Sequence, residues 1–119
     1  MTNKSGNPRP YFKFYPSDWL SHPETRALNL EEKGAFIELL ANMWKREDGR
    51  LKDDSKFISR LLNVHVNKWR RLREELVDNQ CVIRESGGYL YSQRLTKELK
   101  TYREISESRS LASQKRWEG

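Results

Sequence analysis

The chain has 119 residues, 34% of them charged and 35% apolar, which suits one domain with an economical core. A formal net charge of +6 and a pI of about 9.6 favour a polyanionic partner: DNA, RNA or an anionic membrane surface. No stretch approaches the roughly 20 apolar residues of a membrane span, and a lone cysteine, Cys81, excludes an intrachain disulfide and makes a reducing cytoplasm the simplest compartment.

Residues 1–10 read as a polar, disordered leader without the apolar centre of a signal peptide. Residues 11–20 (YFKFYPSDWL) differ sharply, with Tyr11, Phe12, Phe14, Tyr15 and Trp19 in one run. So many rings predict an extended segment packed across the domain, and Pro16 and Pro23 discourage a long helix there. Asn29 and Glu32 have the form of a capping box. Behind them Phe36, Leu39, Leu40 and Met43 recur at i, i+3, i+4, i+7, so a first long helix is expected, its buried face widened by Ile37 and Trp44. Asp48-Gly49 should end it, and residues 50–52 suit a very short strand.

One of Asp53, Asp54 or Ser55 should cap a second helix at 56–62, with Phe57, Ile58, Leu61 and Leu62 as its apolar side. Residues 63–65 read as a turn with Val64 tucked inward. A third helix follows at about 66–79, with Val66, Trp69, Leu72 and Leu76 on one face. Two β-prone runs, 80–84 and 89–93, flank Gly87-Gly88 and predict a hairpin. Leu95, Leu99, Tyr102 and Ile105 line a fourth helix, after which the apolar pattern thins. The domain is therefore expected over 11–105, with 106–119 a basic tail or the start of a linker. Helix, short strand, helix, turn, helix, hairpin, helix is the order of a winged helix-turn-helix with an extra C-terminal helix. The expected fold class is mainly α with a small β-hairpin.

Charge placement points to the surface that would act. Residues 55–73 contain no carboxylate but hold Lys56, Arg60, Lys68, Arg70, Arg71 and Arg73. At about 100° per residue from Trp69, Leu72 and Leu76 lie within about 60° of it, while Asn67 and Arg71 lie about 160° away on either side. In helix-turn-helix proteins the second helix enters the major groove through its N-terminal residues. Asn67 and Arg71 are thus expected to face the groove, with Lys68, Arg70, Arg60 and Lys56 on phosphates and Arg84 reaching the backbone from the hairpin. Glu74, Glu75 and Asp78 would repel phosphate, which leaves the N-terminal half of that helix to face DNA. Arg73 falls beside the core and should snorkel outward. The bland alternative is an ordinary solvated helix face, or a contact with protein rather than DNA.

Signals of catalysis are missing from the sequence. His22 and His65 have no Cys or His partner at metal-ligand spacing. Asp53-Asp54 fit a helix start better than an acid/base pair. Gly87-Gly88 is a turn rather than a phosphate loop, and Cys81 reads as a small buried thiol. No cofactor and no enzyme activity are expected.

Several of these segments resemble a known family. Tyr15, Pro16, Asp18 and Trp19 resemble its aromatic-Pro-Asp-Trp opening, Leu30 to Gly34 with Phe36 its first helix, and Trp69 a Trp near the start of a later helix. Arg94 to Leu99 (RLTKEL) and the close at Arg116-Trp117 resemble its tail. The family is the YdaU-like, DUF1376 group of prophage domains, whose members commonly sit beside phage replication genes. The resemblance implies a phage replication protein, either an origin-binding initiator or an adaptor that helps load a helicase. A winged-helix transcriptional regulator and a protein adaptor without DNA binding are the alternatives. Expected partners are double-stranded DNA and a replicative helicase or its loader, not a membrane, and the tail helix offers one seam for a homo-oligomer.

Overall fold

The computed structural model describes residues 11–118; the leader expected at 1–10 lies outside them. Two short helices, α1 (Pro16–Ser21) and α2 (Pro23–Arg26), precede the long α3 (Leu30–Trp44). Then come β1 (Leu51–Lys52), α4 (Ser55–Leu62), α5 (Val66–Asp78), the hairpin strands β2 (Ile83–Glu85) and β3 (Tyr89–Tyr91), and α6 (Gln93–Glu118). The described residues are mainly helical, with one small antiparallel sheet among them in the order β1-β3-β2.

Local chemistry explains most of these boundaries. The Asn29 side chain accepts from the Glu32 N–H, and Glu32 accepts from the Asn29 N–H, both at 2.8 Å. That closes the capping box in front of α3. Asp54 is the residue that caps α4, accepting from the N–H groups of Lys56 and Phe57. Asn63 closes α4 in the left-handed region (φ 58°), a conformation Asn tolerates better than most residues. His65 then starts α5, its Nδ1 accepting from the Asn67 N–H at 3.1 Å. At the hairpin, Gly88 takes φ +86° and its N–H donates to the Glu85 carbonyl at 3.0 Å, which a side-chain-bearing residue would do only with strain.

The core joins α3, α4, α5 and the first turns of α6 to one face of the sheet. Phe36, Leu39, Leu40, Met43, Ile58, Trp69, Leu72, Leu76, Leu90, Leu95 and Leu99 are all buried in it. Leu51 pairs with Leu90, and Leu90 with Arg84, across the sheet. Directly paired residues share a face, so Arg84 lies at the edge of the core-facing side. Lys52, Tyr89 and Glu85 occupy the opposite face.

Three expectations are corrected. The ring-rich segment is extended only as far as Tyr15; Pro16 and Pro23 then lead helices of six and four residues, so no long helix forms there, and the first helical turn does not need the N–H that proline lacks. The rings are not all packed away: Phe12 and Trp19 lie against the core, while Tyr11, Phe14 and Tyr15 are exposed. The fourth helix continues past Ile105, which is exposed, to Glu118. The hairpin strands are shorter than expected, three residues each. No described helix is long and apolar enough to cross a membrane.

Candidate nucleic-acid interface

α5 is amphipathic in the expected phase. Trp69 and Leu76 are fully buried and Leu72 nearly so, while Asn67, Arg70 and Arg71 are exposed on the far side. Arg70 donates from Nη1 to the Asn67 Oδ1 at 3.1 Å, so these two side chains form one polar unit one turn into the helix. Arg71 stands beside it in solvent. Lys56 and Arg60 are exposed on α4, the helix that packs directly against α5. Glu74, Glu75 and Asp78 are exposed on the second half of α5, which leaves its cationic half N-terminal, where the helix dipole also favours an anion.

The acid-free run of the sequence is not acid-free in space. Lys68, half-buried, forms an ion pair with Glu31 at the start of α3. Arg73 does not simply snorkel into water: its Nε and Nη2 donate to the two Asp53 oxygens at 2.9 and 2.5 Å. Both side chains of that pair are largely shielded from solvent (19% and 14% exposed), and Asp53 raises the Arg73 pKa chiefly through this hydrogen bond. Arg84 approaches the same carboxylate at 4.0 Å. The Asp53 N–H also donates to the Gly88 carbonyl at 2.9 Å. One residue in the β1–α4 loop thus ties α5 to the hairpin and partly neutralises two of the nearby cations.

On the other face of the sheet Arg50 makes a bidentate contact with Glu85 at 2.7 and 3.1 Å and lies over the Tyr91 ring. The Arg50 guanidinium holds the Glu85 carboxyl below the usual carboxylate range. Of the expected site residues, Asn67, Arg70 and Arg71 cluster on one exposed face, Lys56 and Arg60 lie on the packed neighbour, Lys68 is held by Glu31, and Arg84 reaches toward the Asp53 junction. The ion pairs of Arg73 with Asp53 and of Lys68 with Glu31 are the neighbours the linear reading misses. Arg73 alone carried a signal, since it sits one turn after Trp69 beside the buried stripe.

Cys81 is buried, and burial pushes its thiol up to about 12. The native chain is therefore expected to resist alkylation at pH 8 and to react only once unfolded, because the thiolate is the nucleophile. Labelling of the native protein as fast as of a denatured control would contradict this placement. Among the described residues no group of three His, Cys, Asp or Glu side chains is placed to hold a metal ion.

The geometry is that of a mainly helical domain that presents a short cationic helix face beside a small antiparallel sheet. The model of the family described as "Protein of unknown function (DUF1376)" matches residues 10–100, and the chain belongs to that family. No curated protein and no solved structure matches it significantly.

Proposed function

We propose that this chain is a duplex-DNA-binding module of winged-helix type that acts in phage or mobile-element replication initiation, binding an origin or positioning a helicase or its loader there. The replication setting rests on the resemblance of the aromatic opening and the tail to prophage domains. The DNA contact rests on α5: its exposed Asn67, Arg70 and Arg71, set on the side opposite Trp69, carry this reading. Support for the winged-helix type comes from the α4–turn–α5 pair, with Asn63 at the turn, followed by a hairpin whose sheet has the order β1-β3-β2.

In this reading Asn67 and Arg71 enter the major groove, where Arg pairs bidentately with guanine and Asn with adenine. Lys56, Arg60 and Arg70 contact phosphates, and Lys68 reaches one when it leaves Glu31. Arg84 braces the neighbouring backbone from β2. Arg71→Ala is expected to cost about 1–3 kcal/mol of binding with no measurable loss of folding stability, since the side chain is exposed. The check is a binding titration on duplex fragments from the chain's own gene neighbourhood at several salt concentrations. If about five phosphates are neutralised, log K should fall with log salt at a slope of about −4 to −5. Unchanged affinity in Arg71→Ala would remove α5 from the interface, and no binding at low salt would make a protein adaptor the leading reading.

A further inference from the structure

A second surface lies away from α5. The strap that leads into α1 and the first two turns of α6 enclose an open groove of about 750 Å³. The strap alternates as extended backbone does. Phe12 turns inward to the Trp44 ring, with centroids 5.8 Å apart, while Tyr11, Lys13 and Tyr15 face solvent. Phe14 leans on Trp19 yet stays half exposed, and Tyr11 is 73% exposed. Two of these exposed rings, Phe14 and Tyr15, line the groove, and apolar surface left in water there is costly unless something covers it.

The opposite wall supplies the complementary charge. Arg94, Lys97 and Lys100 of α6 line the groove, as does Lys13 of the strap. Among the described residues these four cations have no carboxylate within ion-pair distance, like Arg70 and Arg71 on α5 and unlike Arg50, Lys68 and Arg73. The Arg94 Nη2 is buried with no acceptor at all, a guanidinium nitrogen desolvated without compensation. Three carboxylates share the groove, Asp18, Glu24 and Glu98, and Glu24 lies 3.8 Å from His22.

We propose that this groove binds single-stranded nucleic acid, with bases stacked on Phe14 and Tyr15 and phosphates held by Lys13, Arg94, Lys97 and Lys100. Exposed rings interleaved with unpaired cations are the combination that single strands need, because every base has a stacking face and every nucleotide a charge. An acidic peptide would use the cations but would leave the rings without flat partners. Duplex DNA would use the cations but keeps its bases stacked inside. The groove spans about 10 Å of α6 at about 1.5 Å per residue, room for a few nucleotides.

The test is fluorescence anisotropy of the full chain with labelled oligo(dT) of about 15 nucleotides, long enough to fill a site of this class, run beside a duplex probe. Lys97→Glu/Lys100→Glu is expected to weaken oligo(dT) binding about tenfold or more and Phe14→Ala about fivefold or more, since each stacked base contributes on that scale. Arg71→Ala is expected to leave oligo(dT) binding intact while weakening the duplex, so failure of this proposal and failure of the α5 reading are separately visible. Lys97 and Lys100 are exposed, and thermal unfolding of the double variant should match the parent; Lys97→Gln/Lys100→Gln serves if it does not. Absence of oligo(dT) binding by the parent chain overturns the proposal. So does loss of that binding in Arg71→Ala but not in the groove variants. Binding of a polyglutamate peptide in place of oligo(dT), weakened by the groove variants, overturns it in favour of an acidic protein partner.

Discussion

Trp69→Ala is expected to cost about 3–5 kcal/mol of folding free energy, the range for deleting a large buried ring. Trp69 is fully buried on the α5 face that packs against α3 and α4, so nothing else can fill its volume without moving a helix. Small domains have about 5–15 kcal/mol in total, and this one change would consume a large part of that. Trp69→Phe should behave differently. The indole Nε1 is buried without an acceptor, and an unmet donor costs about 1–3 kcal/mol. Phe removes that donor along with part of the ring, so its loss should stay below about 2 kcal/mol, the lost area being offset by the donor it no longer buries. Denaturant unfolding of both variants checks the pair. A loss below about 1 kcal/mol for Trp69→Ala would mean that the helical phase of α5, and with it the outward placement of Asn67 and Arg71, is wrong.

That phase is also where sequence and structure agree best, for a physical reason. Periodicity and capping are local, and local rules suffice for α3 with its Asn29–Glu32 box and for α5 with its Trp69–Leu72–Leu76 stripe. The Gly87-Gly88 turn follows from equally local chemistry, whereas the short strand at Leu51–Lys52 is completed by pairing with Tyr89 and Leu90 far along the chain. Contacts that cross the chain are not legible in this way. Asp53 and Arg73 are 20 residues apart, and Glu31 reaches Lys68 from a different helix. Pairing of this kind is fixed only when α3 and the β1–α4 loop dock on α5, so a charge map of the linear sequence overstates the net positive face. The proline-led helices α1 and α2 were legible only in part: no long helix forms, but the backbone after Tyr15 is helical rather than extended. Proline signals both a broken helix and a first turn, and the residues around it decide which. The site was thus legible as a helix and a face, while the groove between strap and α6 needed the fold to bring two distant segments together.

Asp53 is the position where stability and DNA binding should move in opposite directions. Asp53→Ala leaves Arg73 largely shielded and unpaired, and breaking a buried pair costs about 3–5 kcal/mol. The pair retains some solvent contact, so about 2–3 kcal/mol is the expected loss. Arg73→Ala should cost a similar amount, and the double variant less than the sum, with a coupling of about 1–3 kcal/mol. Binding depends on a different balance. Asp53 is the carboxylate nearest Arg84 as well as the partner of Arg73, so its removal uncovers two cations at the junction of α5 and the hairpin. If duplex DNA lies on α5, the folded variant should bind it more tightly at low salt, with a salt slope steeper by about one. A folded variant that binds more weakly would assign Asp53 another role, in which the register it sets between α5 and the hairpin matters more to DNA than the charge it removes.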